Sequence, residues 1–186
     1  PLKREPAQAR PFLESAQPAQ VKDLAEAWRA SREWNDLLHV PGLVFEGKAW
    51  RNDPHAARHA ILNLIADIPP GAWWSVDAFV AAVKERQPDF QRPAGDYDSW
   101  YIRDAATQTY LRGFDSWERV DGALVRWVIE QPMYGLGLVD LFTAESAEAG
   151  GVSLEKISAN SAVNASGFRI TPYGAAFLGR GEWPAA

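Results

Sequence analysis

The stretches Gly137-Leu138-Val139-Asp140-Leu141-Phe142 and Gly167-Phe168-Arg169-Ile170-Thr171 decide the fold. Both are short, dense in branched and aromatic side chains and opened by glycine, which is the composition of a β-strand. Residues 143–166 between them hold mostly Ala, Ser, Glu, Asn and Gly, with one helical turn predicted at 154–157. Paired antiparallel, the two stretches make a hairpin that roofs a bed of amphipathic helices. Beyond the second, Thr171 supplies a capping hydroxyl and Pro172 a preset first turn for a last helix over 172–178, stopped by Gly179.

Upstream, residues 116–131 place Trp117, Val120, Leu124, Trp127 and Val128 on one broad side of a predicted helix, which Pro132 closes. Asp53-Pro54 starts another that runs to about residue 66 and buries Ala57, Ile61, Leu64 and Ile65. Ser75 caps a third, with Val76, Phe79, Val80 and Val83 inward and Lys84, Glu85 and Arg86 to solvent. Trp73-Trp74 and Leu43-Val44-Phe45 read as short strands. The Pro, Gly and Asp content of 88–98 predicts a loop, and 100–111 is ambiguous, with helix preferred over strand. Residues 21–38 show a helical stripe of Leu24, Ala27, Trp28, Trp34 and Leu38. Prolines 1, 6, 11 and 18 predict an extended arm or linker over 1–18. The organisation is therefore an arm (1–18), a helix and connector (19–52) and a main domain (53–186), within a mainly α, α+β fold.

The order of a helix, Gly-Leu-Gly-Leu-Val-Asp-Leu, a polar connection and Phe-Arg-Ile-Thr-Pro-Tyr-Gly-Ala-Ala-Phe-Leu-Gly resembles the end of a winged-helix (winged helix-turn-helix) domain, over residues 116–178. The two preceding helices, with Trp73-Trp74 between them, are similar to the opening of such a domain. Some thirty residues then separate the second helix from the one leading into the hairpin, so the resemblance implies either an insertion or two packed helical modules. A more distant likeness is to helicase-associated winged-helix regions of bacterial proteins. The resemblance implies DNA reading by the third helix and phosphate contact by the wing. Helix 116–131 instead sets Glu118, Asp121 and Glu130 against Arg119 and Arg126, and the wing sets Glu145, Glu148 and Glu155 against Lys156. Phosphates would be repelled by such a wing.

Composition narrows the function further. The chain carries a formal net charge of −5, and residues 61–186 alone contribute −6, which opposes binding by bulk neutralisation of phosphates. Without cysteine there is no disulfide, zinc-thiolate or thiol nucleophile, and a reducing, cytoplasmic setting is expected. No apolar run reaches the roughly 20 residues of a membrane span. Nine tryptophans and eight phenylalanines provide ample core material.

The chemistry-bearing constellations are few. His55 and His59 have the spacing of a helical metal pair, but Arg58 lies between them and no glutamate base accompanies them. Asp96 and Asp98, near Asp89 and Asp104, form the densest carboxylate patch, which turn capping explains without invoking metal-assisted catalysis. Gly135-Leu136-Gly137 opens like a dinucleotide fingerprint, yet Asp140 stands where the third glycine should be. No catalytic residue, cofactor or metal is therefore assigned. The expected contact residues for a partner or nucleic acid are Arg86, Arg92, Arg103, Arg112, Arg119, Arg126, Trp100 and Tyr101. Together with Tyr110, Phe114 and Trp117, these aromatics could stack bases or offer an apolar patch. The expectation is a non-catalytic interaction domain with a protein partner. The alternative is a DNA-binding regulator or helicase accessory module.

Overall fold

The computed structural model describes residues 6–47, 52–93, 95–143 and 165–185. The predicted turn at 154–157 and the wing residues Glu145, Glu148, Glu155 and Lys156 lie outside them. The fold is mainly helical α+β with two small antiparallel sheets. In chain order its elements are α1 (Pro6–Glu14), α2 (Gln17–Ala30), a 3-10 turn (Asp36–His39), β1 (Leu43–Phe45), α3 (Pro54–Ala66), β2 (Trp73–Ser75), α4 (Val76–Arg86) and β3 (Ile102–Asp104). There follow α5 (Ala123–Val128), β4 (Val139–Phe142), β5 (Gly167–Ile170) and α6 (Pro172–Phe177).

The local start signals act as their chemistry dictates. Asp53 accepts from the His55 and Ala56 amides at the head of α3, Ser75 accepts from the Ala78 amide at α4, and Thr171 accepts from the Gly174 amide at α6. β4 and β5 pair antiparallel, with Val139 opposite Ile170 and Phe142 opposite Gly167. β2 joins the other edge of β5, so the predicted hairpin is a three-stranded sheet ordered β2-β5-β4. Phe168 and Ile170 point into the core, where the Phe168 ring meets that of Phe79 edge-on at 5.6 Å. One buried cluster extends from Ala25 and Leu37 through α3, α4 and α5 to Phe177.

Helix α5 has wide π-helical turns at both ends, Glu118–Gly122 and Ile129–Met133. Pro132 therefore does not close the helix as expected: a proline has no N–H to donate, and the second π turn carries the chain past it. The stop comes at Gly137, whose φ of +69° suits a residue without a Cβ. There the Leu138 amide bonds the Met133 carbonyl (2.8 Å) and the Gly137 amide bonds the Tyr134 carbonyl (2.9 Å), a Schellman ending that feeds directly into β4. The Gly135-Leu136-Gly137 triplet is thus a helix stop. Gly174 has an equally strict role, because a Cβ there would lie 2.0 Å from the Leu138 carbonyl oxygen.

Three further expectations are corrected. The segment read as an extended arm is helical from Pro6, and the Gln20 amide donates to the Phe12 and Ser15 carbonyls at the end of α1 (both 3.0 Å). In α2 the inward residue is Ala25, while Leu24 and Ala27 are exposed. Leu38 is exposed too, and Leu37 takes its place in the core. The docking of Trp28 and Arg29 on Phe177 of α6 selects that face. Residues 100–111 form strand β3 and a return segment rather than a helix, because β1 offers a partner: Leu43 faces Asp104 and Phe45 faces Ile102.

Candidate interaction surface

The segment after β3 turns tightly and comes back alongside it. Asp104 holds the turn by accepting from the Ala106 and Thr107 amides, chiefly the latter, which keeps its carboxyl below the usual range. The Asp104 amide donates to the Thr109 carbonyl (2.9 Å) and the Leu111 amide to the Ile102 carbonyl (2.8 Å), bridging Arg103 antiparallel to Tyr110. That register, carried two pairs outward, sets Tyr101 opposite Arg112. Side chains alternate along extended backbone, so Tyr101, Arg103, Tyr110 and Arg112 share the outer face while Ile102 and Leu111 are buried.

The four residues form a checkerboard. The Arg112 guanidinium lies 5.1 Å from the Tyr101 ring and 4.9 Å from the Tyr110 ring, and the two rings meet edge-on at 6.1 Å. Arg103 pairs with Glu46, and the Tyr110 hydroxyl donates to the same carboxylate at 2.7 Å, raising its pKa. Both tyrosines are 47 % exposed. Arg112 is exposed as well and, among the described residues, has no carboxylate within ion-pair distance.

The other expected contact residues disperse. Arg92 and Trp100 are buried: the Arg92 guanidinium sits 4.3 Å from the Trp100 ring and 5.1 Å from the Tyr97 ring, and its Nε donates to Asp121 at 3.0 Å. Neither is available to a partner. Arg86 pairs loosely with Asp67 (3.8 Å), Arg119 with Asp104, and Arg126 with Asp77 (2.5 Å). Trp117 is buried and Phe114 is half exposed. The six arginines thus form no continuous basic stripe.

A second exposed group lies on the outer face of the three-stranded sheet. Trp73 and Phe142 approach edge-on at 6.1 Å, and Arg169, paired with Asp140 at 2.6 Å, lies 4.8 Å from the Trp73 ring. Behind these surfaces runs a buried polar framework that sequence reasoning missed. Arg58, inside α3, pairs with Asp36 (2.7 Å) and donates to the Ser31 and Trp34 carbonyls (both 2.7 Å). Asp36 also accepts from the indoles of Trp28 and Trp34. Asn35, Asn52, Gln91 and Asp121 form a hydrogen-bonded chain toward Arg92. Burial raises the Asp121 pKa against the opposing pull of Arg92.

The histidine and carboxylate constellations have local explanations. The His55 and His59 rings meet at a tilt, 4.3 Å apart, and burial first, then His55 and nearby arginines, lower the His59 pKa. Asp96 caps Ser99 through the side chain (2.5 Å) and the amide (3.0 Å), and Asp98 accepts from the Gly113 amide. Among the described residues no three metal-ligating side chains converge, and no helix is long and apolar enough to cross a membrane. No family model, curated protein or solved structure matches the chain.

Proposed function

We propose that this chain is a non-catalytic protein-recognition domain, acting in the cytoplasm, that engages its partner through the Tyr101, Tyr110 and Arg112 face of the small sheet. The observation that carries this reading is the gathering of exposed tyrosines with an arginine that no carboxylate neutralises. Tyrosine and arginine supply a large share of the binding energy at protein interfaces, since each combines apolar area with a polar tip. The test is a photo-reactive phenylalanine analogue placed at Tyr110, with the exposed position Ala27 as control. A discrete protein adduct at Tyr110 that Tyr101→Ser weakens is expected. Equal adducts at both positions, or none at Tyr110, would overturn the reading.

A second reading is a DNA-associated regulator or helicase accessory module of winged-helix type. Its support is the order α3, β2, α4, α5, β4, β5, interrupted between α4 and α5 by β3, with the sheet ordered β2-β5-β4. Against it stands the neutralisation of Arg119, Arg126 and Arg169 by Asp104, Asp77 and Asp140, which leaves few free cations for phosphates among the described residues of the helix and hairpin. A gel-shift assay at low salt decides: retarded duplex, sensitive to Arg126→Gln, would favour this reading over the first.

A further inference from the structure

We propose that the Tyr101, Tyr110 and Arg112 corner docks an extended peptide segment of the partner through a single aspartate or glutamate side chain. This rests on the protein-recognition reading and specifies its chemistry.

Two observations lead to it. The first is charge. Within this face Arg103 is held by Glu46, and the neighbouring Arg119 is held by Asp104, so Arg112 is the cation left to pair. Its guanidinium is braced against two ring faces, which limits the rotamer freedom lost on binding and leaves the fork of N–H donors for a ligand. A carboxylate matches that fork with two parallel hydrogen bonds. A nucleic acid strand is a poorer fit, because a polyanion gains affinity by neutralising many phosphates at once. One free arginine on this face of a chain of net charge −5 cannot do that.

The second observation is the backbone. In an antiparallel bridge, the amides and carbonyls that close the ladder belong to the flanking residues, here Asp104 with Thr109 and Ile102 with Leu111. The N–H and C=O of Tyr110 therefore point away from β3, toward the outer edge of the sheet, and residues 105–110 are all exposed. An incoming extended segment can add as the next strand, a common mode of peptide capture in which main-chain bonds hold the ligand and alternate side chains confer selectivity. Tyr110 and Arg112 are two residues apart on one face. A ligand strand laid beside them places an apolar side chain against Tyr110 and, two residues along, a carboxylate at Arg112.

The experiment selects a displayed random-peptide library on the intact chain and measures the winners by fluorescence anisotropy. Each winner is compared with its Asn or Gln counterpart, and labelled oligothymidine is run in parallel. Enrichment of sequences with Asp or Glu two residues from an apolar residue is expected. So is a loss of about tenfold or more when the acid becomes its amide or when Arg112→Gln is tested. Arg112→Lys, which keeps the charge but not the fork, should fall between the two. Circular dichroism verifies that the variants are folded. The proposal is overturned if no peptide is selected, if acid and amide bind alike, if Arg112→Gln binds as wild type, or if only oligothymidine binding depends on Arg112. Peptides that need Tyr101 and Tyr110 but ignore the carboxylate would sink this inference while leaving the recognition reading intact. Failure of the Tyr110 adducts would sink both.

Discussion

Arg58 and Arg112 carry the same guanidinium into opposite surroundings. Arg58 is fully enclosed, and a carboxylate and two close backbone carbonyls take up its donors. Arg112 lies on the surface against two tyrosine rings and, among the described residues, pairs with no carboxylate. A buried charge is costly unless it is paired and hydrogen-bonded, as Arg58 is, so its donors are spent on holding the fold. An exposed charge stacked on aromatics keeps its hydrogen-bonding capacity for something else. The contrast separates an arginine that builds this molecule from one left free to recognise another.

The comparison breaks most readily at its buried end. Arg58→Ala leaves Asp36 enclosed without its cation and the Ser31 and Trp34 carbonyls without donors, and should cost about 3–5 kcal/mol in a denaturant melt. Should it cost no more than a surface substitution, the distinction between the two arginines fails. Arg92→Met sharpens the same contrast with a smaller loss. In the native pair Arg92 Nη1 and Asp121 Oδ2 are both buried and unpartnered among the described residues, so this ion pair starts with an uncompensated cost that the Arg58 pair lacks.

Glu130 tests a buried carboxylate without a close cation. It lies in the second π turn and accepts from the Ala165 amide at 3.1 Å, tying the start of β5 to the long helix. Burial pushes its pKa up to about 7 from 4.5, outweighing the Ala165 bond and Arg126, which favour the charge, while Asp77 opposes it. Because the folded value exceeds the unfolded one, the folded state binds the proton more tightly. Its contribution is fully present below about pH 4.5 and is lost as pH rises to about 7, by something on the order of 3 kcal/mol. Urea melts across that range should show wild type falling relative to Glu130→Gln. Parallel curves would mean that the carboxylate is solvated.

What could be read from the chain divides by range. Caps at Asp53, Ser75 and Thr171 are local, because the side chain bonds amides two or three residues on, and each lies where the residues place it. The three-stranded sheet was half legible: β4 and β5 announce themselves, while the pairing of β2 depends on residues far down the chain. Residues 100–111 were misread because their partner β1 is equally remote. The candidate surface did leave a trace, the triplets Tyr101-Ile102-Arg103 and Tyr110-Leu111-Arg112, whose period-2 alternation suits strands and whose antiparallel register sets each tyrosine against the other's arginine. The burial of Arg58 left a signal that went unread, since Arg58, Leu62 and Ile65 fall at the spacing of a buried helical stripe, but its pairing with the remote Asp36 left none.

The exposed end of the comparison predicts small effects on stability, in order. Arg103→Gln removes a partly exposed ion pair with Glu46 and leaves the Tyr110 hydroxyl bond, so a loss under about 1 kcal/mol is expected. Arg112→Gln should be smaller still, within about 0.5 kcal/mol, because no carboxylate loses a partner and only the cation–π contacts with two half-exposed rings are given up. The near-zero result is the informative one. A residue that contributes little to its own fold, yet is braced by two tyrosines beside an open strand edge, keeps its interaction energy for whatever docks there. A denaturant midpoint lowered as far by Arg112→Gln as by Arg92→Met would instead make Arg112 one more structural arginine and erase the division on which the recognition surface rests.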